Sequence, residues 1–89
     1  MRRRIKCGDC NLVGDRIRAI RERKGIAQGE LVIRLQLLNG NMSQSKLSRI
    51  EGQQITVSDS DLFLIAQALQ VSVADLFPPL PFKPSKRGE

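Results

Sequence analysis

Aromatic and imidazole side chains are scarce in this chain, which has no histidine, tryptophan or tyrosine and only three phenylalanines. Histidine is the commonest general acid and base in catalysis, and the chain also lacks a phosphate loop of the form GxxxxGKS. The nearest pair of carboxylates, Asp59 and Asp61, is explained by helix capping. We therefore expect no enzymatic activity and no cofactor. The scarcity of rings also weighs against RNA, because proteins that read single strands usually stack bases on aromatic side chains.

The two cysteines are too few for a structural metal site. Cys7 and Cys10 form a lone C-x-x-C motif, and the chain offers no histidine and no second cysteine pair. Structural zinc usually takes four protein ligands. We expect two reduced thiols and no bound metal, unless two chains share one zinc ion.

Long apolar runs are also missing. No run approaches the ~20 residues that a membrane span requires. The basic start, Arg2 to Arg4, is followed by Lys6, Gly8 and Asp9 where a secretory signal would be apolar. The expectation is a cytoplasmic protein that does not bind a membrane.

Positive charge is present in excess and is unevenly distributed. The net charge is +6 and the pI is about 10.2. Residues 1–24 carry nine basic and three acidic side chains, or +6, whereas residues 52–77 carry a net charge of −3. This distribution favours a polyanionic partner for the first part of the chain.

The apolar pattern predicts a single all-α domain of five short helices. The predicted helices cover residues 12–24, 28–38, 44–51 and 59–70, with one further turn that begins after Ser72. Asn11 is the expected cap of the first helix, and Gly25 and Gly52 are the expected left-handed stops of the first and third. Both S-x-x-D sequences, at Ser58 and Ser72, predict capping boxes.

The predicted helices also have defined buried faces. The apolar stripes are Val13, Ile17 and Ile20 on the first helix, Leu31, Leu35 and Leu38 on the second, Leu47 and Ile50 on the third, and Leu62, Ile65, Ala66 and Leu69 on the fourth. Phe63 and Leu64 widen the last stripe, which indicates a central core helix or one that also meets a partner chain.

Two segments flank the domain, which we place at residues 12–77. Residues 1–11 are a basic arm that either lies along DNA phosphates or is a disordered terminus. Residues 78–89 form a proline-rich, basic tail. That tail either packs Leu80 or Phe82 onto its own domain or serves as a ligand for an aromatic groove.

The third helix is the candidate functional element. Its outward positions are all polar or cationic: Gln44, Ser45, Lys46, Ser48 and Arg49. These side chains can contact base edges or phosphates, although the same pattern is typical of a short solvated helix. Lys46 occupies the third helical position, where the S-x-x-D helices carry an acid. No carboxylate therefore offsets the positive end of the helix dipole, and an anion is the expected neighbour.

The first helix supplies two further kinds of residue. Arg16 and Arg18 lie off the apolar stripe and are candidates for phosphate contacts. Arg21 lies at the edge of the buried face, and an unpaired guanidinium there would be costly, so Arg21 requires a carboxylate partner.

Several segments together resemble the Cro/repressor type of helix-turn-helix regulator, also called the xenobiotic-response-element family. They are residues 13–25 (VGDRIRAIRERKG), 28–31 (QGEL), 43–52 (SQSKLSRIEG), 62–69 and 71–72. Each segment alone is common, but their order and spacing together are specific, and they cover most of the chain.

The resemblance implies a lambda-repressor-like domain in which the third helix enters the major groove of DNA. By position, Gln28 resembles the family's phosphate-contacting glutamine. Residues Gln44, Ser45, Lys46, Ser48 and Arg49 match its base- and backbone-contacting positions. Arg21 and Glu51 correspond to a family ion pair, which agrees with the partner that Arg21 requires.

The sequence departs from the family at two places. Ala27 stands where a serine or threonine usually caps the second helix, so the start of that helix should be looser. Residues 36–42 also lengthen the turn between the second and third helices. We expect them to extend the second helix by about one turn. The angle between the second and third helices should then differ from the usual one in the family.

The function predicted from these features is sequence-specific binding of double-stranded DNA by a homodimeric, repressor-like transcriptional regulator. Lys46 and Arg49 are suited to guanine and Gln44 to adenine. The alternative is an antitoxin-like or adaptor module that grips another protein through the fourth helix or the tail.

Overall fold

The computed structural model of the chain describes residues 10–78, which contain four α-helices, one turn of 3-10 helix and no strand. The α-helices are α1 (Gly14–Arg23), α2 (Gln28–Leu37), α3 (Gln44–Glu51) and α4 (Asp59–Leu69), and the 3-10 helix spans Val73–Leu76. The all-α prediction is confirmed, with the 3-10 turn in place of the fifth helix. Within residues 10–78, no helix is both long enough and apolar enough to cross a bilayer. Cys7 and most of the predicted arm and tail lie outside the described residues.

The core lies where the four α-helices and the 3-10 helix meet. Its largest fully buried side chains are Ile17, Leu31, Leu35, Leu47, Ile50, Ile65, Leu69 and Leu76. The predicted stripe of α2 is wrong at its end, because Leu38 is exposed and Val32 is buried instead. Leu38 is the C-cap of α2, so the chain has already begun to leave the helix at that residue. On α4, Phe63 is exposed and Leu64 packs against the core.

Each α-helix is followed by one residue with a left-handed backbone. These residues are Gly25, Asn39, Gln53 and Gln70, with φ between 60° and 71°. The prediction that Gly52 takes this conformation is wrong, since its φ is −82°. The N–H of Gln53 donates to Ile50 O and that of Gln54 to Arg49 O, both at 2.9 Å. This pair of bonds places the left-handed residue one position beyond the C-cap.

The start of α1 is fixed by a contact with the far end of α3. Asn11 Oδ1 accepts the N–H groups of Val13 and Gly14, and its Nδ2 donates to Ile50 O at 3.2 Å and to Ile55 O at 2.7 Å. The helix therefore begins at Gly14 and not at residue 12 as predicted. Asn11 still satisfies helix N–H groups, but from outside the helix, while it ties two segments together.

Candidate nucleic-acid interface

The α3 helix is held by its own N-cap and by two buried aliphatic side chains. Ser43 Oγ accepts the N–H of Lys46 at 3.1 Å, and Leu47 and Ile50 are fully buried. The predicted bounds and inward stripe of α3 are confirmed. Gln44, Ser45, Ser48 and Arg49 are exposed, so the polar face of α3 is accessible from solvent.

Lys46 differs from the other residues of this face because it already has an anionic partner. Its Nζ lies 3.0 Å from Oδ2 of Asp61 at the start of α4, and the side chains are 38% and 15% exposed. The anion expected beside Lys46 is therefore supplied, in this structure, by the protein itself. The predicted capping box at Ser58 is correspondingly half formed. Ser58 Oγ accepts the N–H of Asp61 at 3.1 Å, but the Asp61 carboxylate is directed to Lys46.

The start of α2 lies beside the start of α3. Ala27, the N-cap of α2, makes no side-chain cap bond, because alanine has no acceptor. Gln28 Nε2 donates to Glu51 Oε1 at 3.1 Å, and Gln28 Oε1 accepts a long bond of 3.5 Å from Gln44 Nε2. Gln28 thus links Glu51, the last residue of α3, to Gln44, the first. The carboxylate of Glu51 fixes the orientation of the Gln28 amide.

A buried ion pair anchors this network to α1. Arg21 Nε lies 2.7 Å from Glu51 Oε2, and Nη2 lies 3.0 Å from Glu51 Oε1. Arg21 Nη1 also donates to Ile26 O at 2.9 Å. Hydrogen bonding to Glu51 raises the pKa of Arg21, against the lowering effect of burial, and the charges of Glu51 and Glu22 raise it further. Arg21 is therefore cationic at every ordinary pH. Arg21 and Glu51, which the family resemblance pairs, are in contact.

Unlike Arg21, Arg16 and Arg18 of α1 do not belong to this network. Arg16 Nε donates to Asp75 O at 3.3 Å, beside the 3-10 helix, and Arg18 Nε lies 3.2 Å from Glu22 Oε2. Both side chains are exposed. Among the hydrogen bonds and ion pairs of residues 10–78, none joins Arg16 or Arg18 to α3. Their assignment to phosphates stays a prediction.

Three residues of this region were missed or given another role by sequence reasoning. Gly14 permits the close approach of α1 to the end of α3, because a Cβ there would overlap Ile50 O and lie 3.0 Å from Glu51 O. Asn11 bridges the same two elements, and Asp61 pairs with Lys46. Of these three roles, only that of Asp61 was indicated by the sequence, because α3 has a lysine, Lys46, at the third position where the S-x-x-D helices have an acid. Within the described part of the chain, no three Cys, Asp or Glu side chains are grouped to hold a metal ion.

The fold and this arrangement define a helix-turn-helix protein, in which α2 and α3 are the paired helices and α3 carries the exposed polar face. A family model described as a helix-turn-helix domain matches residues 12–77, and the chain belongs to that family of DNA-binding domains.

A solved structure gives a more particular likeness. The chain is similar to the restriction-modification controller protein C.AhdI from Aeromonas hydrophila, with a TM-score of 0.65 and 29% sequence identity. The match covers 74% of this chain and 96% of that one. No curated protein matches the chain.

Proposed function

We propose that this protein is a sequence-specific regulator that binds double-stranded DNA and reads the major groove with α3. The observation that carries the proposal is the exposed face of α3, where Gln44, Ser45, Ser48 and Arg49 project away from the buried Leu47 and Ile50. Arginine can bind guanine through two hydrogen bonds and glutamine can bind adenine in the same way. We assign guanine to Arg49 and adenine to Gln44.

The remaining candidates position the protein on the duplex. Gln28 lies at the uncapped start of α2, where free N–H groups favour a phosphate, and Arg16 and Arg18 are exposed cations of α1. Lys46 occupies a position of the same set, but its ammonium is paired with Asp61 and is not free for DNA in this structure. The likeness to a controller protein supports a role in regulation, and we propose that the role is repression.

We further propose that two copies bind together. Exposed large apolar side chains on α2 and α4, such as Leu37 and Phe63, support self-association because they would otherwise contact water. A dimer should prefer inverted repeats whose centres lie one helical turn apart, or about 34 Å. A footprint that covers a single half-site would contradict the dimer without contradicting DNA binding.

The test of the function is selection of bound duplexes from a randomised DNA pool. The proposal predicts enrichment of one inverted-repeat sequence, and binding that weakens steeply as salt rises because each phosphate contact releases counterions. A reporter whose promoter overlaps the selected site should be expressed less when the protein is present. Binding without enrichment of any sequence would overturn sequence-specific reading, and unchanged or increased reporter expression would overturn repression.

A further inference from the structure

The contact between Lys46 and Asp61 joins equivalent positions of two neighbouring helices. Each residue is the third of its helix, α3 and α4 respectively, and each donates its backbone N–H to the serine that caps that helix, at 3.1 Å in both cases. The two caps therefore fix both backbones. The side chains meet between them, with Nζ 3.0 Å from Oδ2.

In the 3-10 helix, the carboxylate of the same S-x-x-D pattern completes a capping box. At Ser72, the carboxylate of Asp75 turns back and accepts the N–H of Ser72 at 3.2 Å, which completes the capping box. At Ser58 the equivalent acid, Asp61, has Lys46 as its partner instead. Helix capping therefore does not explain the position of the Asp61 carboxylate. That carboxylate contacts Lys46, a residue of the proposed DNA-reading face.

We propose that Asp61 restrains the affinity of the protein for DNA by holding the ammonium of Lys46, which would otherwise contact a backbone phosphate. The proposal rests on the proposed function of α3. The pair is partly exposed and should contribute about 1 kcal/mol, so a phosphate must replace that free energy to take Lys46 from Asp61. The Asp61 carboxylate also adds a negative charge beside a surface that must approach a polyanion. The Lys46–Asp61 pair has no net charge. Among the ion pairs of residues 10–78, none includes Arg49, the other cation of α3.

The experiment compares wild-type protein with Asp61→Asn and with a matched control, Asp59→Asn. Asp59 is an exposed acid in the same first turn of α4, and no ion pair of residues 10–78 includes it. Both variants remove one negative charge from the same helix start, but only Asp61→Asn frees Lys46. We expect Asp61→Asn to bind roughly fivefold more tightly to specific and nonspecific duplexes alike, which is the equivalent of about 1 kcal/mol. Asp59→Asn should change the affinity less than about twofold, since exposed charges are screened by salt.

The salt dependence shows whether the gain comes from a new phosphate contact. The slope of log affinity against log salt should become steeper by about 0.9 in Asp61→Asn, which corresponds to one added contact. The double variant Lys46→Met with Asp61→Asn removes both charges, so it should lose the gain in affinity and the steeper slope that Asp61→Asn shows. Thermal melting of every variant checks that the domain remains folded.

Two results would overturn the inference. One is that Asp61→Asn binds no more tightly than Asp59→Asn. The other is that the double variant keeps the gain, since the effect would then not pass through Lys46. Neither result depends on sequence selectivity, because the comparison is also made on nonspecific duplex. A wild-type protein that enriches no sequence from a random pool would instead contradict the proposed function.

Discussion

Arg21 and Glu51 form a buried, two-point ion pair between α1 and the last residue of α3, with N–O distances of 2.7 and 3.0 Å. Their side chains are 11% and 4% exposed. Glu51 also accepts from Gln28, which accepts in turn from Gln44 on the exposed face. The pair therefore connects the core with the surface that we propose reads DNA.

Replacing Glu51 by Gln should destabilise the domain by about 3 kcal/mol. The buried guanidinium of Arg21 would lose its close counter-charge and keep only the exposed carboxylate of Glu22, which is 4.0 Å away. Urea unfolding measures the change in the free energy of unfolding. The control is Glu30→Gln, which breaks the exposed pair of Glu30 with Arg34 four residues later on α2. That variant should lose no more than about 0.5 kcal/mol. Equal losses in the two variants would mean that burial does not set the strength of the Arg21 pair.

Replacing Gly14 by Ala should destabilise the domain by about 2 kcal/mol, because overpacking forces the backbone to shift. The added Cβ would overlap the carbonyl oxygen of Ile50 and so push α1 from the end of α3. Gly29→Ala is the matched control, since the nearest atom to a Cβ there, Gln44 Oε1, is 3.9 Å away. Alanine favours a helix over glycine by up to about 1 kcal/mol, so Gly29→Ala should be neutral or stabilising. A stable Gly14→Ala variant would show that α1 and α3 can separate without cost.

Replacing Ala27 by Ser should stabilise the domain by about 1 kcal/mol, because a hydroxyl at the N-cap can accept a free N–H of α2. The backbone of Ala27 is already extended, with φ −68° and ψ 153°, close to the values at the capping Ser58. The opposite change at α3, Ser43→Ala, removes the bond to Lys46 N and should cost a similar free energy. Thermal melting compares both with wild type. No change at Ala27 together with a loss at Ser43 would indicate that the start of α2 is held by other contacts.

Features that depend on a few neighbouring residues were predictable from the sequence. The bounds of α3 follow from the Ser43 cap and the spacing of Leu47 and Ile50, all within one short segment. The need of Arg21 for a carboxylate followed from its place at the edge of an apolar stripe. The identity of that carboxylate came from the family resemblance, since Glu51 lies thirty residues further along the chain.

Features that depend on distant contacts were not predictable in the same way. Nothing local distinguishes Gly14 from any other helical glycine, because the atom it must avoid belongs to Ile50. The pattern at Ser58 predicts a capping box, whereas the position of Lys46 in space decides where the Asp61 carboxylate goes. Gly52 is a good candidate for a left-handed residue, yet the hydrogen bonds that end α3 put that conformation on Gln53.

The central claim, that the exposed face of α3 reads base sequence, is tested most directly by binding Gln44→Ala and Arg18→Ala variants to a randomised DNA pool. Gln44→Ala should lose preference at one or two base pairs, at a cost of about 1–3 kcal/mol. Arg18→Ala should weaken binding to all sequences by the same factor, because a phosphate contact carries no sequence information. Uniform losses on every sequence for both variants would contradict the claim.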